Sequence, residues 1–124
     1  MIARIWHGRT LDYLGDEYLE YIKKTGIQGY RSTEGNRGVY VLKRIKSGVA
    51  EFQLITLWDS FEAIRKFSGP DVEKAVYFPD DQKYLLELEP QANHFEVLLA
   101  PREQNSSYEE AFSNLAKYMK GIKI

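Results

Sequence analysis

Two histidines, His7 and His94, are the side chains of this chain best suited to exchanging a proton near neutral pH. His7 closes a stretch that alternates like a β-strand, and His94 opens another. If those strands are antiparallel neighbours, the two imidazoles meet at one end of a sheet and supply a base. The plainer reading is a pair of strand-end histidines bonded to backbone or water. No metal is expected: Glu96 shares the face of His94 by period, but the three supply no known ligand spacing. Tyr30, Arg31 and Arg37 lie in a glycine-rich stretch, where they either guard a pocket mouth or stand in solvent. Trp58 ends an apolar strand, as a core side chain or as a surface on which a ligand stacks.

Other chemistries are excluded by what the chain lacks. There is no cysteine, hence no disulfide, thiolate nucleophile or sulfur-bound metal. The glycines match neither the phosphate-loop nor the dinucleotide spacing, and no Gly-x-Ser-x-Gly occurs. Asp80-Asp81 after Pro79 reads as turn or cap chemistry. A net charge of −1 with dispersed Lys and Arg carries no nucleic-acid footprint. No apolar run approaches the roughly 20 residues that span a bilayer, and the strand-like opening MIARIWHG is unlike a signal peptide. A cytoplasmic protein with no nucleic-acid or membrane partner is expected.

The elements that must position these residues follow from periodicity. With 124 residues, 44% of them hydrophobic and 28% charged, one folded domain is the expectation. Residues 2–7 alternate as a strand, with Trp6 opposite His7 and facing a dimer barrel. From Asp12 or Asp16 to Thr25, Leu14, Tyr18, Leu19, Tyr21 and Ile22 recur at helical spacing, with Gly26 as C-cap. Residues 26–38 read as a loop. Strands at 39–45 and 49–58 are joined by a Lys46-Ser47-Gly48 hairpin. Asp59-Ser60 caps a helix, with Glu62 at capping-box distance from Asp59. That helix carries Phe61, Ile64 and Phe67 on one stripe and stops at Gly69-Pro70. Short helical turns broken at Pro79 are expected over 71–88, then a strand at 92–99.

The order β-α-β-β-α-β gives an α+β, ferredoxin-like domain over residues 1–100, with an antiparallel four-stranded sheet ordered 4-1-3-2. Residues 101–124 form a polar linker and a C-terminal helix. Ser107 and Glu110 make its capping box, and Tyr108, Phe112, Leu115 and Met119 an apolar stripe that docks on the domain or on a partner. The middle strands are apolar on both faces, and two helices cover only one, so a homodimer closing the second face is expected.

The segments MIARIWHG, LITLWDS (54–60), DVEKAVYFPDD (71–81) and NHFEV (93–97) resemble the antibiotic biosynthesis monooxygenase family of the dimeric α/β-barrel superfamily. The resemblance spans residues 1–99. It implies either a cofactor-independent oxygenase of a small aromatic, polyphenolic or quinol compound, or a non-catalytic homodimeric ligand-binding or interaction module. Such an oxygenase needs only to bind, deprotonate and position a substrate that itself reduces oxygen. The resemblance puts Tyr77 and Phe78 in the pocket lining, with His7, Tyr77 and His94 as catalytic candidates and Tyr30, Arg37, Trp58, Phe67 and Phe78 as binding candidates. The family's heme-degrading branch uses an asparagine, a tryptophan and a histidine, where this chain aligns His7, Phe67 and Tyr77. All three differ, so no heme and no other cofactor is expected.

Overall fold

Strand alternation sets the architecture. In the computed structural model, which describes residues 1–101 and 108–121, β1 (Ile2–Leu11), β2 (Asn36–Lys46), β3 (Val49–Trp58) and β4 (Asn93–Glu96) form one antiparallel sheet in the order β2-β3-β1-β4. This is the expected ferredoxin-like order. The β2–β3 turn is a tight hairpin whose central residues, Ser47 and Gly48, both have positive φ (52° and 78°), as the twist of adjoining strands demands.

On one sheet face the even-numbered residues of β1 and β3 are buried: Arg4, Trp6 and Thr10 beside Ala50, Phe52, Leu54, Thr56 and Trp58. Helices α1 (Gly15–Lys24), α2 (Gly26–Arg31) and α3 (Phe61–Ser68) supply Tyr18, Ile22, Ile27, Tyr30, Ala63 and Ile64 to the same core. Trp58 is wholly buried. Its Nε1 donates to Thr56 Oγ1 at 2.8 Å, and Thr56 Oγ1 in turn donates to the Arg4 carbonyl. The opposite face presents Ile5, Ile55 and Leu57, with Tyr40, Leu42 and Phe95 exposed beside them.

Several boundaries differ from expectation. Gly26 does not end a loop-bound helix; it begins α2, and Tyr30 is a core residue. The apolar spacing of Ile27 and Tyr30 provides the turn, and burial outweighs the two glycines of α2. The α3 cap is Ser60 alone, whose Oγ accepts from the Ala63 amide at 3.2 Å, while Glu62 pairs with Arg65. Within 71–88 only α4 (Asp81–Tyr84) is helical. The preceding segment is held by bridge pairing of Lys74 with Gln91. β4 is four residues long rather than eight.

Helix α5 (Tyr108–Met119) forms where expected, but none of its residues is buried, and Phe112 and Leu115 stay exposed. Docking on its own domain is therefore not found. The Ser107 half of the capping box lies outside the described residues. Among the described residues, no helix is long and apolar enough to cross a membrane.

Candidate functional site

β1 delivers Arg4 and Trp6 into the largely apolar sheet–helix layer. Arg4 points under the segment that follows α3: Nη1 donates to the Val72 carbonyl and Nη2 to the Lys74 carbonyl at 2.8 Å. Nη1 also lies 3.0 Å from His94 Nε2. A guanidinium only donates, so the imidazole accepts there. Phe67 lies beneath the guanidinium, 6.0 Å from its ring centroid. Arg4 is 3% exposed, and burial lowers its pKa against the raising influence of Tyr30. Among the described residues no carboxylate is within ion-pair distance of it.

Trp6, two residues on, lays its indole over Gly8, where a Cβ would fall 2.1 Å from the ring. Glycine is what lets the ring lie there. Its Nε1 donates to the Tyr77 hydroxyl at 3.1 Å, and Tyr77 donates onward to the Glu89 carbonyl at 2.5 Å. Burial holds the Tyr77 pKa above that of a free phenol, so the hydroxyl is protonated at neutral pH. Asp81, at the start of α4, accepts from the Phe78 amide at 2.6 Å and the Tyr18 hydroxyl at 3.3 Å. Its pKa is raised, chiefly by burial, with both hydrogen bonds opposing. Burial likewise pushes the Tyr30 hydroxyl up to about 12, with Arg4 opposing.

These groups border one cavity, lined among others by Arg4, Trp6, Tyr30, Phe67, Tyr77 and Asp81, with a volume of about 30 Å³. That is about one water's share of the liquid. Phe78 also lines it. Of the candidates read from sequence, Tyr77, Phe78, Tyr30 and Phe67 are thus brought together.

The others are not. His94 pairs with Arg4 in the β1–β4 register, whereas His7, three residues beyond Arg4, projects from the opposite face. An odd separation along a strand puts side chains on opposite sides, so the two histidines are not a pair. The same parity turns Trp6 toward the helices, not toward the open face expected for it. Trp58 is a core side chain. Arg37 grips Asp59 on the exposed surface at 2.6 and 2.9 Å, so it is no pocket guard. The arginine of the cavity is Arg4. Arg4, Trp6, Tyr18 and Asp81 were missed, although one signal was present: a charged residue on the inward face of an apolar strand.

A porphyrin does not fit this arrangement. His94 Nε2 is engaged by Arg4, the Tyr77 hydroxyl donates its proton to the Glu89 carbonyl, and His7 faces away. Among the described residues no group of three or more metal-ligating side chains occurs.

No protein-family model matches the sequence, and no curated protein does. Solved structures do match in fold. One is a protein from Bacillus cereus, provisionally described as an antibiotic biosynthesis monooxygenase, with 16% identity and a TM-score of 0.58 over 82% of this chain and 97% of that one. Another is a mutant of MhuD, solved with two manganese protoporphyrin IX molecules per active site, with 16% identity and a TM-score of 0.53 over 83% of this chain and all of that one. The ferredoxin-like fold expected from the sequence is the one observed, and both of these structures share it.

Proposed function

We propose that this chain is a homodimeric, monooxygenase-like protein that admits a small phenol or quinol between sheet and helices, without a tightly held cofactor. The observation that carries this reading is the convergence of Arg4, Asp81 and the Trp6–Tyr77 pair on one aromatic-walled cavity. In this reading the ring stacks among Tyr30 and Phe67. Asp81, its basicity increased by burial, accepts the phenolic proton. The quinol, as the sole reductant, is oxidised by dioxygen, one oxygen atom entering the ring as the hydroxyl of a hydroxyquinone and the other leaving as water. Tyr77, its own proton committed to Glu89, positions rather than abstracts. His94 acts through Arg4, and His7 faces the second copy. A cavity of about 30 Å³ must enlarge to admit a ring. The Val76, Tyr77 and Phe78 cover belongs to the irregular segment between Gly69 and α4, the part of the lining free of regular backbone pairing.

The test is oxygen consumption by the purified protein over a panel of hydroxylated aromatics. Turnover that falls at least tenfold in Asp81→Asn supports the reading. Neither binding nor turnover of any member, with Asp81→Asn and Tyr77→Phe indistinguishable from the parent, overturns it. The small cavity volume favours a second reading, a non-catalytic homodimeric module whose sheet–helix layer is simply filled. Native mass spectrometry of the protein as isolated separates the two by showing whether a small molecule is retained.

A further inference from the structure

Arg9 and Arg37 show one way in which an arginine of this fold engages a carboxylate in reach. Each places Nε and Nη2 on the two oxygens of one partner: Arg9 on Glu87 at 2.6 and 3.3 Å, Arg37 on Asp59 at 2.6 and 2.9 Å. Both are solvent-exposed. Arg4 is buried, and there the same two atoms are not so used. Of its five N–H donors, two on Nη1 face the Val72 carbonyl and His94 Nε2, and one on Nη2 serves the Lys74 carbonyl. The Nε–H and one Nη2–H remain.

Among the described residues, no sealed side-chain nitrogen or oxygen lacks a partner. The unused Nε is therefore not sealed away from space, and Arg4 is one of the residues that line the cavity. Two carbonyls and an imidazole give the guanidinium lone pairs but no countercharge, and a buried charge is costly until it has one. Asp81 lines the same cavity, yet its oxygens accept from the Phe78 amide and the Tyr18 hydroxyl and not from Arg4.

We infer that the cavity is a binding site for a small organic carboxylate, which Arg4 grips through Nε and Nη2 as its missing counter-ion. The inference rests on the cavity being a ligand site and names the chemistry of the ligand's head. Two donors on a planar fork match two carboxylate oxygens, which a single phenolate oxygen does not. Walls of Trp6, Tyr30 and Phe67 disfavour a strongly hydrated dianion such as phosphate or sulfate. The head occupies the space of a water, and the organic body lies toward the Val76, Tyr77 and Phe78 cover.

Titration of the isotope-labelled protein at constant ionic strength, followed by NMR of the Arg4 Nε–H and Trp6 Nε1–H, tests this with acetate and benzoate against acetamide and benzamide. The carboxylates are expected to bind at least tenfold more tightly than the amides and to move both signals. Arg4→Lys, which keeps the charge but loses the fork, is expected to weaken carboxylate binding at least tenfold and leave the amides unaffected. Equal binding of acid and amide, shifts confined to Arg9 and Arg37, or no binding overturns the inference. Should Arg4→Lys fail to fold, the acid–amide comparison on the parent protein decides alone. Turnover of a neutral quinol without carboxylate preference removes this inference and leaves the proposed function. Carboxylate binding with no turnover of any hydroxylated aromatic does the reverse.

Discussion

Arg4 and His94 stand directly opposite each other across the β1–β4 ladder, with the guanidinium Nη1 3.0 Å from the imidazole Nε2. The contact holds the histidine neutral. Burial, and then the nearby cation, lower its pKa, because protonation would set two charges together and remove an acceptor.

A histidine whose folded pKa is depressed contributes stability that is present above the unfolded value, about 6.5. That contribution is lost as the pH falls through the folded value. The stability of the parent in urea titrations is therefore expected to fall on acidification below about 6.5. His94→Ala is expected to flatten that part of the profile and to cost about 1 kcal/mol at neutral pH, the size of one partly exposed hydrogen bond. An unchanged pH profile in the variant would show that the contact does not govern the titration.

Asp81 has the opposite sign. Its folded pKa is raised, so its contribution is present below the ordinary carboxylate value, about 3.9, and is lost as pH rises through the raised value. Asp81→Asn is expected to remove that loss, giving a flatter stability profile across the mildly acidic range. At neutral pH the lost acceptor and the relieved burial of charge nearly offset, leaving a change within about 1 kcal/mol. Denaturant titrations at several pH values measure both.

Gly8→Ala probes the indole of Trp6. A Cβ 2.1 Å from the ring forces the side chain to shift, parting Nε1 from Tyr77. The expected results are a displaced Trp6 Nε1–H resonance and a loss of about 1–3 kcal/mol, the usual range for overpacking a well-filled interior. An unmoved resonance would mean that the strand, not the ring, gives way.

On the open face, Ile55 sits between its β1 partner Ile5 and its β2 partner Tyr40. Ile55→Glu would bury a carboxylate in the proposed interface between two copies. Sedimentation or light scattering is expected to show the dimer dissociating at concentrations at least about two orders of magnitude higher than for the parent, from the several kcal/mol that an unpaired buried charge costs. Circular dichroism is expected to stay unchanged. A parent protein that is monomeric at all concentrations would dispose of the homodimer.

The topology was legible because alternation, caps and hairpin residues agree with one another along 2–69. Ser60 and Gly69 bracket α3 as their chemistry requires, and Ser47-Gly48 closes the hairpin. Legibility failed where long-range partners decide. Gly26 looked like a stop, but burial of Ile27 and Tyr30 makes it a start. The segment before α4 has no period of its own and is placed by Arg4, by Gln91 and by the Asp81 carboxylate. For the site, the aromatic members Tyr30, Phe67, Tyr77 and Phe78 were legible, while Trp6, Tyr18 and the charged Arg4 and Asp81 were not. His7 and His94 were paired in expectation because strand ends were compared without a register, and a shift of one residue inverts every side chain. Arg37 is conspicuous among its loop glycines, while Arg4 is hidden within an apolar strand.

β1 is the partition of this molecule. Arg4 and Trp6 reach into the cavity from one side of it, and Ile5 and His7 stand on the other. A second copy seated against the open face would rest one backbone's thickness from the guanidinium, with no intervening layer to absorb a movement. Displacing that strand along the sheet normal must open one compartment as it compresses the other. If two copies pack there as proposed, occupancy of the cavity and tightness of association would be linked through that one strand.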